Sequence, residues 1–160
     1  MKFSLLERKI SKLNVGNNDS FGKGLAIVTT AESLVEAKKL VELRQKFNLK
    51  NDHFKFIVCT EKPIVIEDKN SLLFSASAIK GNGDFSNKEL KLVFQQKFEI
   101  VIGFSQKPTK LFQFVFKLVQ APLKTSNHKI STANLIINAD EVKSFENELL
   151  NYYKTIKQIR

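Results

Sequence analysis

What most constrains this chain is a spacing: short, almost wholly apolar runs recur along it, separated by stretches long enough to hold a helix. The runs are GLAIVT (24–29), FKFIVCT (54–60), FEIVIGF (98–104) and ANLIIN (133–138), with SLLFSA (71–76) as a weaker fifth. A strand with one wet face alternates apolar and polar residues, whereas a strand covered on both faces has no polar side to show. These runs therefore predict strands sandwiched between two layers of helices.

The intervening segments carry the helical period. Residues 31–47 turn Leu34, Ala37, Leu40, Val41 and Phe47 inward and Glu32, Glu36, Lys38, Lys39 and Arg44 outward. Thr30 is placed to cap that helix. Ser86-Asn87-Lys88-Glu89 reads as a capping box opening a helix with Leu90, Val93 and Phe94. Pro108 fits the first turn of KPTKLFQFVFKLV, which Ala121-Pro122 brings to an end. Asn138 or Asp140 caps a last helix lined by Val142, Phe145, Leu149, Tyr152 and Ile156. Residues 61–71, with Pro63, read as irregular or as an edge hairpin. Strand and helix in alternation predict a three-layer, Rossmann-like α/β fold with a mostly parallel sheet of about five or six strands.

Ahead of the first run, Phe3, Leu6, Ile10 and Leu13 fall at helical spacing among Lys2, Arg8, Lys9 and Lys12. The organisation expected is a basic N-terminal amphipathic helix over 1–14, a Gly/Asn-rich connector over 15–23 and a single α/β domain over 24–160. With 42% apolar residues in 160, one core is the natural outcome. Fourteen Phe and no Trp make the aromatic material packing bulk.

The single cysteine, Cys59, cannot close an internal disulfide, and no Cys/His cluster offers a metal site. Glu7, Arg8 and Lys9 break the leading apolar residues, and no stretch reaches membrane-spanning length. The expected location is the cytoplasm, with no transmembrane segment, metal or cofactor.

Catalytic patterns are wanting. The first strand-to-helix turn is Thr29-Thr30-Ala31-Glu32-Ser33, without the glycines that let backbone approach a pyrophosphate. Gly81-Asn82-Gly83-Asp84 lacks the Lys and hydroxyl of a phosphate loop and reads as a plain turn. Cys59 sits in a buried strand, and His53 lies at that strand's other end. His128 occupies the polar stretch KTSNHKIS with no neighbouring carboxylate to orient it. Glu67-Asp68 and Asp140-Glu141 are accounted for by solvation and by a helix N-terminus. No catalytic residue emerges.

Charge is the positive signal. The chain carries a net +10, which favours an anionic partner: nucleic acid, a phosphorylated ligand or an acidic membrane surface. Residues 100–139 hold no acid and five lysines. In open sheets ligands collect outside the carboxyl ends of strands, where Gly103-Phe104-Ser105-Gln106-Lys107 would fall. Ser105, Lys107, Lys110, Lys124 and Lys129 are therefore the candidate anion site, on one positive surface. Phe112, Phe114 and Phe116 spread around one helix, leaving an apolar face for the N-terminal helix or for a second copy in a homo-oligomer. The expectation is a non-enzymatic binding or scaffold domain. The alternative is a small or degenerate enzyme-like Rossmann domain that binds a nucleotide, sugar nucleotide or other phosphorylated ligand.

KGLAIVT, FEIVIGF and ANLIINADEVKSFENELLNYYKTIKQI together resemble a domain-of-unknown-function family of short Bacteroidota proteins. The resemblance runs from the basic N-terminal segment to FENELLNYYKTI and implies a fold and a lineage, with no activity. Against the pattern of that family, Glu99 keeps an acid, Gly103 stands at an Asn-like position, and Ala121–Ser126 lacks a closing glycine. The middle stretch is also faintly similar to the N-terminal half of sugar-nucleotide glycosyltransferases, which need a second domain that 160 residues cannot hold.

Overall fold

Leu25–Thr30 (β1), Phe54–Cys59 (β2), Ser71–Phe74 (β3), Ile100–Phe104 (β4), Leu123–Ser126 (β5) and Leu135–Ile136 (β6) form one sheet. Their order is β3-β2-β1-β4-β5-β6, and every neighbouring pair is parallel. This is a computed structural model, and it describes residues 4, 5, 8, 24–47, 54–61, 70–82, 84–130 and 132–159. The expected helix over 1–14 and connector over 15–23 fall, apart from residues 4, 5 and 8, outside the described residues. So do 62–69 and His53.

Four helical segments cover the sheet. The first, α1 (31–46), is a relay of 3-10 and α turns: Ala31–Ser33, Leu34–Lys38, Lys39–Glu42 and Leu43–Lys46. Lys88–Gln95 (α2), Lys110–Leu118 (α3) and Val142–Ile159 (α4) are regular. The chain steps from β1 to β2 in one direction and from β4 to β5 in the other. Crossovers of one hand must then put their helices on opposite faces. Accordingly α1 and α4 pack with Leu25, Ile27, Ile100, Ile102 and Phe104 on one face. On the other, α2 and α3 pack with Ala26, Val28 and Val101. Every residue of β1 and β4 is buried, as their unbroken apolar runs require.

Close approach of α3 to the sheet depends on Gly103. A Cβ there would stand 2.6 Å from one atom of the Phe116 ring and 3.2 Å from Phe112. Both rings are fully buried, and Phe114, the third of the Phe residues spread around this helix, is half-buried against the same core.

Several local expectations are corrected. The stretch read as the polar loop KTSNHKIS begins within β5, whose backbone is held by β4 on one side and β6 on the other. The last strand shrinks to Leu135–Ile136. Thr30 makes no side-chain cap bond to α1. Asn87, not Ser86, caps α2: its Oδ1 accepts from the Glu89 N–H at 2.8 Å, while Ser86 Oγ donates to the Ser77 carbonyl. Thr109 Oγ1 accepts from Phe112 N–H at 3.1 Å, so Pro108 lies before the helix instead of in its first turn. On α4 the core tyrosine is Tyr153, its ring tilted against Phe47 with centroids 4.3 Å apart, whereas Tyr152 is 41% exposed.

Candidate functional site

Because β2 lies on one side of β1 and β4 on the other, the carboxyl ends of β1 and β4 are the point where doubly wound sheets open a ligand crevice. Here the two strand ends are bridged by side chains. Thr30 ends β1 and Ser105 follows β4, and their hydroxyl oxygens are 2.9 Å apart. In place of the helix cap expected of it, the Thr30 hydroxyl bridges the two strands. Ser33, in the first turn of α1, ties that turn to the loop after β4: its Oγ accepts from Gln106 N–H at 2.9 Å.

Asn127, just past β5, completes the bridge. Its Oδ1 accepts from Ser105 N–H at 3.1 Å and its Nδ2 donates to the Ser105 carbonyl at 2.9 Å, so one amide satisfies both backbone groups of one residue. Its own N–H donates to the Gly103 carbonyl. Thr30, Ser33, Ser105, Ser126 and Asn127 are all at most 1% exposed. Buried polar groups are retained when paired: Thr30, Ser105 and Asn127 pair with one another, Ser33 with Gln106 N–H and Ser126 with His128 N–H.

Two candidate lysines are fastened to this lock. Lys107 follows Ser105 by two residues, and its N–H donates to Ser105 Oγ at 3.2 Å. Lys129 follows Asn127 by two residues. Lys110 opens α3 from the same end of β4. All three side chains are exposed. Ser105 is not: its side chain is fully buried, and its hydroxyl is engaged by the Thr30 hydroxyl and by the Lys107 N–H.

Lys124 departs from the expected surface. It is the second residue of β5 and only 8% exposed, with Nζ donating to the Lys117 carbonyl at 3.2 Å and lying 4.7 Å from the centre of the Phe116 ring. Lys117 is in the last turn of α3, so Lys124 points toward the amino end of the sheet, away from Lys107 and Lys129. Burial pulls its amine down to about 8.

Beside the lock, a cleft of about 210 Å³ is lined by Ala31, Glu32, Cys59, Thr60, Glu61, Thr109 and Leu111. Its charged groups are two carboxylates, and no lysine lines it. Cys59 is buried and its thiol is pushed well up by desolvation, which makes it a poor nucleophile. The backbone N–H of His128 donates to Ser126 Oγ, while Nε2 is buried without a hydrogen-bond partner among the described residues. Gly81 and Asn82 lie in a plain turn, in which Asp84 N–H donates to Asn82 Oδ1 and Lys80 N–H to the Asp84 carbonyl.

Among the described residues no group of His, Cys, Asp and Glu is arranged to hold a metal ion, and no helix is long and apolar enough to cross a membrane. Sequence reasoning finds Ser105 and Lys107 through their place after an apolar run. It misses Thr30 and Asn127 as partners, because which strand ends meet is decided by sheet order and leaves no mark on composition.

Over residues 3–156 the sequence matches the model of a family of unknown function, DUF6913. No curated protein and no solved structure matches.

Proposed function

We propose that this chain, which belongs to the DUF6913 family, is a non-catalytic binding domain that holds an anionic partner against the exposed lysines at the carboxyl edge of its sheet. The observation that carries this reading is the lock itself. Thr30, Ser105 and Asn127 fill the place where an enzyme of this architecture receives its ligand, and the same residues anchor the loops that bear Lys107 and Lys129. The enzyme-like alternative asks for a phosphate beside these strand ends, yet the neighbouring cleft brings Glu32 and Glu61 to it, and like charges repel. A single buried cysteine supports a cytoplasmic setting, where an unpaired thiol persists.

The test is anisotropy with a labelled single-stranded oligonucleotide, repeated with vesicles containing an anionic lipid. The substitutions Lys107→Glu, Lys110→Glu and Lys129→Glu together should remove binding, and wild-type affinity should fall steeply with salt through counterion release. Equal binding by the triple variant overturns the reading.

A further inference from the structure

We propose a second anion site at the opposite, amino edge of the sheet, where Lys97, Lys117 and Lys124 converge on one shallow dip that takes a single phosphate or sulfate group. This site is independent of the carboxyl-edge reading. The dip encloses about 310 Å³ and is otherwise lined by Val119, Gln120, Ala121 and Pro122, with three lysines and no carboxylate.

Its walls are fixed by backbone. Phe98 N–H donates to the Gln120 carbonyl at 2.8 Å, and Lys97 and Gln120 form a parallel bridge, so the turn after α3 is tied to the entry of β4. Lys124 N–H donates to Asn134 Oδ1 at 2.9 Å while Asn134 N–H donates to the Lys124 carbonyl, which pins the strand that carries the third cation.

The unusual member is Lys124. An ammonium has three N–H donors, and this one, 8% exposed, spends one on the Lys117 carbonyl and faces an aromatic ring with its body. No carboxylate among the described residues reaches it. A buried charge with donors to spare is costly, and an oxyanion in the dip supplies both the acceptors and the countercharge. The carboxyl end of α3 also faces the dip and disfavours an anion. That end amounts to about half an elementary charge, against three cations. Burial lowers Lys124 to about 8, and a bound oxyanion would bring it back toward the ordinary lysine range.

The full chain is titrated with inorganic phosphate at ionic strength held constant with chloride, and backbone amide shifts are followed by NMR. A parallel series with glycerol phosphate distinguishes free phosphate from the phosphoryl group of an organic ligand. Saturable shifts confined to Val119–Lys124 and Lys97 are expected in one series or both. Lys124→Met should weaken binding at least tenfold. Lys97→Glu with Lys117→Glu, which leaves the buried amine in place, should do the same and covers the case in which Lys124→Met fails to fold. The Lys107→Glu, Lys110→Glu, Lys129→Glu variant should bind phosphate like the wild type, so the two sites stand or fall separately. Shifts that are linear and unsaturable, or a Lys97→Glu, Lys117→Glu variant with wild-type affinity, overturn the site.

Discussion

The two ends of the β4–β5 pair solve the burial of polar groups in opposite ways. At the carboxyl end Ser105 and Asn127 are neutral, and the Asn127 side-chain amide satisfies both backbone groups of Ser105. At the amino end a charged Lys124 is buried with one carbonyl and one ring for company. The first arrangement is complete without a ligand and holds two loops in register. The second is incomplete. The comparison separates a polar cluster that builds structure from one that leaves room for a further group.

Asn127→Ala is the largest break in the first arrangement. It strands the N–H and carbonyl of Ser105 away from water, and at about 1–3 kcal/mol for each unsatisfied group the loss should be roughly 3 kcal/mol. Urea unfolding followed by circular dichroism measures it. A loss below about 1 kcal/mol would mean that water replaces the amide and that the lock is no lock.

Gly103→Ala tests what lies between the two ends. The added methyl presses on Phe116, the ring that Lys124 covers, so the substitution should cost about 2 kcal/mol as overpacking and should also disturb the Lys124 amine. Thermal unfolding gives the first effect, and lysine side-chain NMR titration gives the second. Thr30→Val removes a single hydroxyl bond while Ser105 keeps its bond from Lys107 N–H. About 1 kcal/mol is expected in the same urea assay.

The smallest effect at neutral pH belongs to Lys124→Met, which exchanges a costly buried charge for an apolar side chain of similar length and should be close to neutral in stability. Its signature is in the pH dependence. The folded amine titrates near 8 and the unfolded one near 10.5, so between those values the unfolded chain binds more protons and stability rises with pH. Below 8 both states are charged and the burial cost is present in full; above 10.5 it is gone. Lys97 and Lys117 face the same dip, and their positive charge acts in the same direction. Urea midpoints at pH 7.5 and pH 10 should therefore rise less in Lys124→Met than in the wild type, and an identical rise would place the titrating group elsewhere.

How far the sequence alone leads follows from the same contrast. Runs such as LAIVTT and IVIGF are legible because a strand that is apolar on both faces must be covered on both. The order of the helices follows from spacing, whereas the surplus apolar face read from Phe112, Phe114 and Phe116 is taken up by the core. β5 is illegible: Lys124, Thr125 and Ser126 carry no hydrophobic pattern, and they are buried because β4 and β6 pair with them. A lysine seldom lies inside, so the sequence places Lys124 on the surface, and the exception arises from the helix end it reaches. Asn87 and Ser86 illustrate a finer limit. Either residue can cap, and the backbone chose the one whose neighbour had another carbonyl to bond.

The sheet order also fixes when the molecule can come together. β1 sits at the centre, yet its partner on one side is β4, and the bridging hydroxyls of Thr30 and Ser105 are 75 residues apart in the chain. During synthesis β1 can meet β2 early, but its other edge stays open until residues 100–104 have emerged and the long loop between them has closed. That open edge is apolar on both sides and six residues long. While the 75 residues between Thr30 and Ser105 are being made, this buried strand is at most half-paired, which makes this the interval in which chaperone binding or aggregation would act.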